Sequence, residues 1–464
     1  MSKTEIVKYP RLEIKNFGPI TEAEIYVNDM MVFIGPQASG KSTIAKTIFL
    51  FKSIKEDLFE LISGVIEEDN DITWLVGLNH ELKSKIDSKL KGFIDVNTLK
   101  NNFNLKYFYE KNKVIEICLG SSEGEFSNFS KNIEELIEKI ELETSIFRKE
   151  FEKSKKNYQT GLDLVSLRSR RQAFYQKMEK RINSLFTDDR LPLYIPAGRS
   201  LLSSLSEPLQ RILLSRLLSK DGKNEINSPL IDNTLKAFIE RVNNMKGSFD
   251  EFKNLQNSPY HSDDVVKNFH LAKKISDKIL NGSYKFTPNG EKIVLNNLEN
   301  TTVNLSFASS GQQEVVWILN QFFLLILNSE KVFLVIEEPE AHLYPEAQKD
   351  IVELICLLSN LNGNQILLTT HSPYILSSMN NFIYAGKLGK TQHDEVAKIM
   401  NENTWISPER VSAFFVANGK IRDIIDPELE LIKEEEIDSA STLINKQYDQ
   451  LFELDVHEEL HRQI

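Results

Sequence analysis

The segment Gly35-Pro-Gln-Ala-Ser-Gly-Lys-Ser-Thr43 follows directly on the apolar run Met30–Ile34. A G-x-x-x-x-G-K-S loop between a buried strand and a helix-forming stretch, here Ile44 to Phe51, leaves few folds open. It demands a sheet with the loop at its carboxyl edge and a helix leaving the loop. The glycines let the backbone curl, so that successive N–H groups face phosphate oxygens. Lys41 adds a point charge for the β and γ phosphates, and the Ser42 hydroxyl suits Mg²⁺. The expected ligand is ATP or GTP with Mg²⁺, cradled by Gly35, Pro36, Gln37, Ala38, Ser39, Gly40, Lys41, Ser42 and Thr43. The bland alternative is a tight strand-to-helix turn that binds nothing. It fits poorly, because the strand, loop and helix signals coincide.

Length and charge set the outer bounds. With 464 residues the chain has room for about three domains, or for one nucleotide-binding domain carrying insertions. A net charge of −11 argues against a generally basic nucleic-acid binder but allows a local basic patch. The two cysteines, Cys118 and Cys356, lie in apolar surroundings and read as small core residues, without a disulfide framework or a thiolate metal site. Residues 1–8 lack the apolar core of a secretory signal. Val315–Leu327, the longest apolar stretch, is broken by Asn320 and Gln321 and is too short to span a bilayer. The expectation is a soluble, cytoplasmic chain without a membrane partner.

Along the chain, Arg11–Lys15 and Ala23–Val27 read as strands on either side of a turn at Phe17–Ile20. A long polar region follows the loop helix. Within it, Tyr107–Tyr109 and Val114–Leu119 flank a charged turn and predict a hairpin. Ile133, Leu136, Ile140, Phe147 and Phe151 recur at helical spacing, as in one arm of a short antiparallel helix pair. Residues 148–181 are locally basic, which fits a nucleic-acid or protein-docking surface and equally an ordinary solvated helix face. Further core strands are expected at Leu191–Ile195, Val303–Phe307, Val332–Ile336 and Ile366–Leu368. The last two are continuous apolar runs, the pattern of a parallel sheet buried on both faces. Turns are expected at Asn289-Gly290 and Asn418-Gly419, and the tail carries an acidic run at Glu434–Asp438.

Three more motifs narrow the class. Val332–Ile336 delivers Glu337-Glu338-Pro339-Glu340 to the sheet edge beside the loop. There Glu337 suits the metal or its waters, and Glu338 suits orienting or deprotonating an attacking water. Ser309-Ser-Gly-Gln312 lies 28 residues before Glu337 and opens the apolar helix from Val315. A serine-capped helix start offers free N–H groups and a dipole to an anion, although serine capping alone is common. His371 stands at the end of Ile366–Thr370, 33 residues after Glu338, in reach of a γ phosphate.

The order and spacing of these motifs resemble an ABC-type ATPase: P-loop, signature, Walker B acids and switch histidine. The chain is similar to the RecF, SMC and Rad50 heads and to OLD-type ATPases. The resemblance includes Leu12–Ile20, Tyr194–Arg199 and the Glu340–Pro345 extension where the family has its D-loop. It covers about 1–50 and 190–390 and, more weakly, the tail, but not the helical insertion; Ser309, Ser310, Gly311 and Gln312 stand at the signature with Ala308 and Ser310 as departures. Gln37 and Ala38 stand where relatives carry Asn and Gly, which Ala38 accommodates at negative φ. The implied fold is an α/β ABC-ATPase head with a mixed sheet, an antiparallel β lobe and a helical insertion. The implied boundaries are a split head at 1–51 and 190–400, a mostly helical, arm-like insertion at 52–189 and an extension at 401–464.

The resemblance also implies partners. In that family two heads pack head to tail, and the signature of one completes the ATP site of the other. The implied roles are Glu338, His371 and Lys41 in catalysis, Ser42 and Glu337 at Mg²⁺, and Ser309 and Gly311 on the partner's nucleotide. Arg199 suits either nucleotide sensing or a structural ion pair. OLD nucleases carry a metal-nuclease domain after the ATPase, yet no Asp-x-Asp follows His371, and Asp69-Asn-Asp71 sits in the insertion. An ATPase with that layout resembles AriA of the PARIS anti-phage system and PtuA of Septu, leaning to the former. That implies a slow regulatory ATPase in a homo-oligomer that controls a separate nuclease or toxin effector and answers a phage factor. A RecF-like clamp on DNA is the alternative, supported by the basic stretch.

Overall fold

The computed structural model describes residues 9–67, 77–93, 99, 102–119, 126–156, 161–204, 233–246, 262–287, 290–296, 301–433 and 445–451. Asp69–Asp71, Asn289 and the acidic run at 434–438 lie outside the described residues.

The strands in chain order are β1 (Arg11–Phe17), β2 (Ile20–Tyr26), β3 (Met30–Ile34), β4 (Asn104–Glu110), β5 (Lys113–Cys118), β6 (Ser127–Phe129) and β7 (Leu191–Ile195). They continue with β8 (Gly282–Thr287), β9 (Gly290–Leu295), β10 (Thr302–Asn304), β11 (Val332–Glu337), β12 (Gln365–Thr370), β13 (Val411–Ala417) and β14 (Lys420–Asp423). One sheet runs β6-β5-β4-β1-β2-β14-β13-β3-β12-β11-β7, and a small one runs β10-β9-β8. From β13 to β7 the pairing is parallel; from β2 outward to β6 it is antiparallel. The result is a mixed sheet with an antiparallel lobe.

The apolar runs explain the parallel half. Along β3, Met30, Val32 and Ile34 enter one core, while Met31 and Phe33 enter the other. Along β11, Val332, Leu334 and Ile336 take the first side, and Phe333 and Val335 the second. A period of two with every position apolar buries both faces. The first face is covered by the helices Ser310–Leu327, Pro345–Asn360 and Pro373–Leu388, and the second by the loop helix Lys41–Glu67. Trp317, fully buried on the first face, donates its Nε1–H to Ser203 Oγ at 2.8 Å.

Several expectations change in detail. The 104–118 hairpin forms, but β4 pairs with β1, so the segment 52–189 adds three strands to the main sheet. Its helices Lys131–Lys156 and Gly161–Phe186 pack as an antiparallel pair, with Phe147 stacked on Phe174 at 4.0 Å between centroids. The 303–307 strand is short: Thr302–Asn304 pairs with β9, and Leu305–Phe307 turns into a 3₁₀ helix. The largest difference lies after 401. Strand β13 pairs in parallel with the P-loop strand β3, and its hairpin partner β14 reaches β2, so this segment fills the middle of the sheet. No described helix is long and apolar enough to cross a membrane.

Candidate active site

The parallel register puts the ends of β3, β12 and β11 side by side. Ile34 of β3 pairs with Thr370 of β12, and Thr369 of β12 pairs with Glu337 of β11. The loop after β3, His371 after β12 and Glu338 after β11 therefore meet at one edge, as P-loop sheets require. β12 intervenes between the loop strand and the acidic strand, so the two acids sit one strand away from the P-loop strand.

The loop, Glu338 and His371 line a cavity of about 540 Å³, with Pro19 of the β1–β2 turn on its rim. Lys41 starts the helix and is 5% exposed. Its Nζ donates to the carbonyls of Gly35 at 2.9 Å and Pro36 at 2.8 Å, and it lies 3.5 Å from His371 Nδ1. Burial pushes the lysine below its ordinary pKa, while the carboxylates of Glu338, Glu340 and Glu337 pull the other way. The other ring nitrogen, His371 Nε2, is 3.4 Å from Glu338 Oε1. Lys41, His371 and Glu338 thus form one polar chain across the mouth.

Backbone strain marks the same edge. Glu338 has φ 43°, a left-handed conformation that a glutamate holds only when its surroundings enforce it. Its N–H donates to the Thr369 carbonyl at 2.9 Å, and its carbonyl accepts from Arg199 Nη2 at 2.9 Å. Ala38 has φ 57° and is left-handed too, where negative φ was expected. The curl that presents the loop amides wins over the Cβ penalty of about 1–2 kcal/mol. Gly35 answers to a neighbour: a Cβ there would run into the carbonyl of Val416, at the end of β13.

Two residues to which sequence reasoning gave no settled role stand out. Glu340 is 9% exposed, and its Oε1 accepts from Thr370 Oγ1 at 2.6 Å and from the His371 N–H at 2.9 Å. It fixes the histidine backbone. Arg199 is fully buried and donates to the carbonyls of Pro196, Glu337, Glu338 and Glu314. Its ion pair with Glu314 is the structural one of the two roles the sequence left open.

The site suits ATP with Mg²⁺. The helix after the loop starts at Lys41, and Lys41, Ser42 and Thr43 line the cavity; a helix start leaves N–H groups without helical partners, where an anion is favoured. Glu337 is 6% exposed: its Oε2 accepts from the Ala197 N–H at 3.2 Å, and its Oε1 is buried without a partner. An orphaned carboxylate oxygen and the exposed Ser42 hydroxyl are hard donors of the kind Mg²⁺ takes with waters and phosphate oxygens. Ser309, Ser310, Gly311 and Gln312 are not part of this cavity wall. Ser309 caps its helix in a capping box with Gln312, both Ser309 and Ser310 are exposed, and Gln312 Nε2 donates to the Leu280 carbonyl at 2.7 Å.

A parallel core sheet with a phosphate loop, two acids and a histidine on one edge defines a P-loop ATPase fold. Residues 9–376 match the family described as AAA ATPase domain, and the chain belongs to that family. No curated protein matches it. Among solved structures it is similar to an Smc head bound to the C-terminal winged-helix domain of ScpA, at 11% identity, TM-score 0.39, covering 90% of this chain and 97% of that one. It is also similar to the SMC head domain from Thermotoga maritima, at 12% identity, TM-score 0.31, covering 90% and 98%. A third is an Smc head with an extended coiled coil bound to the C-terminal domain of ScpA derived from Pyrococcus furiosus, at 12% identity, TM-score 0.35, covering 90% and 96%.

Proposed function

We propose that this chain binds and hydrolyses ATP as a homo-oligomer whose smallest working unit is a head-to-tail dimer. The carrying observation is a half site. Lys41, Ser42, Glu338 and His371 share one cavity, while Ser309–Gln312 lie off its wall at the start of another helix. Brought over a partner's cavity, that helix start would add N–H donors and a dipole where the spreading phosphoryl charge needs them. On the chain's own side, Glu337 and Ser42 would hold Mg²⁺, and Lys41 would meet the β and γ phosphates. Glu338 would orient the attacking water, and His371, set between Lys41 and Glu338, would register the γ phosphate. Turnover would be slow and regulatory. Lys41 must leave the Gly35 and Pro36 carbonyls, and His371 must leave Glu338, before either meets a phosphate.

The finer role is control of a separate nuclease or toxin subunit in an anti-phage complex, triggered by a phage protein. The sequence resemblance to AriA and PtuA supports it. A docking face is offered by the helical arm, where Leu142, Ile146 and Val165 are 61%, 49% and 62% exposed. A DNA clamp remains the second reading, on the basic stretch 148–181. Part of that charge is spent inside the arm: Arg170 pairs with Glu150, and Lys177 and Arg181 both pair with Glu143. Light scattering of the tagged protein, co-expressed with its neighbouring genes, separates the two. A large homo-oligomer carrying a nuclease-like or toxin-like subunit is expected. A monomer that dimerises only on DNA, with salt-sensitive affinity, would overturn the effector reading in favour of the clamp.

A further inference from the structure

Arg199 sits where two half sites of one protomer meet. Its Nη1 donates to the Glu337 carbonyl at 2.7 Å and its Nη2 to the Glu338 carbonyl at 2.9 Å. The same residue holds the signature helix. Its backbone N–H donates to Glu314 Oε2 at 3.0 Å, its Nε lies 3.4 Å from that oxygen, and its Nε also donates to the Glu314 carbonyl at 3.3 Å. Glu314 belongs to the helix Ser310–Leu327, one turn behind the Ser309–Gly311 start, whose two serines are exposed. Arg199 and Glu314 are respectively 0% and 2% exposed, so this pair is packed and desolvated rather than a loose surface contact.

A second contact joins the same two elements independently. Gly311 packs against the turn that follows Glu338: a Cβ there would lie 2.6 Å from the His342 carbonyl oxygen. His342 is itself left-handed, at φ 59°. The signature start therefore cannot shift without moving the 338–342 turn or breaking the Arg199 fork. Glu338, at φ 43°, is the residue whose aim such a shift would change, because the Arg199 bond to its carbonyl helps hold that strained conformation.

We infer that the Arg199–Glu314 pair, backed by the Gly311–His342 contact, couples the two ATP sites of a dimer through a single protomer. Occupancy of the partner's nucleotide by Ser309–Gly311 sets the aim of the same chain's own Glu338 in the other site. Arg199 and Glu314 are positioning residues: neither reaches the cavity, and both act through the Glu338 backbone. The inference rests on the composite-site reading proposed above.

Mixed dimers test it. First, the unmixed protein must dimerise with ATP; a monomer at every ATP concentration removes both the composite site and the coupling. Next, a Glu314→Gln protomer is paired with a Glu338→Gln protomer, which keeps its nucleotide but does not turn it over, carrying a different tag, and doubly tagged dimers are isolated. In that dimer the one functional site uses the Lys41 and Glu338 of the Glu314→Gln chain and an unaltered signature from its partner. The coupling predicts a kcat at that site roughly ten- to a hundredfold below a Glu338→Gln/wild-type dimer, at unchanged KM, as expected for a misaimed group. A kcat equal to that of the control dimer would overturn the coupling while leaving the composite site standing. Gly311→Ala in the same chain position gives a second reading that does not disturb the buried charge, and the same kcat loss is expected. Arg199→Lys completes the series. It keeps the charge and loses the fork, so retention of full kcat there would also overturn the role assigned to the guanidinium.

Discussion

The loop helix Lys41–Glu67 carries buried lysines at two levels, and they behave differently. Lys52, 4% exposed, is paired with Asp188 at 2.6 Å and lies over the Phe333 ring at 5.3 Å. Arg190 pairs with the same carboxylate and Lys55 donates to the Asp188 backbone carbonyl at 3.2 Å, so that end of the helix is a closed ionic cluster. Lys41, 5% exposed, has two carbonyls and a histidine nitrogen, and no carboxylate within ion-pair distance among the described residues. A buried ammonium paired to a carboxylate holds structure. One that rests on loop carbonyls, beside a cavity, holds its charge ready for an anion.

That contrast is easiest to break through chemistry at the nucleotide end. Glu338→Gln is expected to lower ATP turnover about a hundred- to ten-thousandfold, with nucleotide affinity retained, as read by phosphate release and fluorescent-nucleotide binding. At the basal end the loss should be in folding. Lys52→Met takes the nearest ammonium from the buried Asp188 carboxylate, leaving Arg190 as its ion-pair partner, and should cost up to about 3–5 kcal/mol in denaturant unfolding, most of it recovered in Lys52→Met/Asp188→Leu. Lys41→Ala should do the reverse: nucleotide binding weakens by about 1.5–3 kcal/mol, the value of hydrogen bonds to a charged group, while the unfolding midpoint holds. If Lys41→Ala unfolds the chain and Lys52→Met spares it, the contrast fails.

Two smaller effects sharpen it. Ala38→Gly relieves a left-handed alanine and should stabilise the fold by about 0.5–1 kcal/mol in thermal melts. At Asp188, burial pushes the carboxyl up, but Lys52, Lys55 and Arg190 outweigh it and leave it below its ordinary value of 3.8. A depressed carboxyl stabilises the fold above its unfolded value, and that stability is lost as pH falls below 3.8 toward the folded value. Acid titration of unfolding free energy should show that loss in the natural chain and not in the Lys52→Met/Asp188→Leu variant.

The sequence made the nucleotide edge legible because its chemistry is contiguous. A loop, a strand end and a histidine each announce themselves within a few residues, and their order gave the sheet. What it hid depends on distant pairing. Nothing local marks Val411–Ala417 as the strand beside β3, yet its Val416 carbonyl is what forbids a side chain at Gly35. Arg199 read equally as sensor or ion pair, because its choice rests on a carbonyl cluster drawn from three segments. Glu340 read only as the start of the extension to Pro345, and only the fold brings its carboxylate under Thr370 and His371. The left-handed Ala38 was missed because loop curvature overrode a residue preference worth only about 1–2 kcal/mol.

The central claim is that one chain supplies the cavity and another supplies Ser309–Gly311. It is tested most directly by mixing two inactive variants, Lys41→Ala and Ser309→Arg, the latter at an exposed position where losing the cap costs about 1 kcal/mol. Random re-pairing makes half of the dimers mixed, each with one site built wholly from unaltered residues, so ATPase activity should return, up to about a quarter of the natural protein's and less to the extent that the dead site no longer aims Glu338. If the mixture stays inactive, or if Ser309→Arg alone turns over ATP at the natural rate, the site is complete within one chain and the account is wrong.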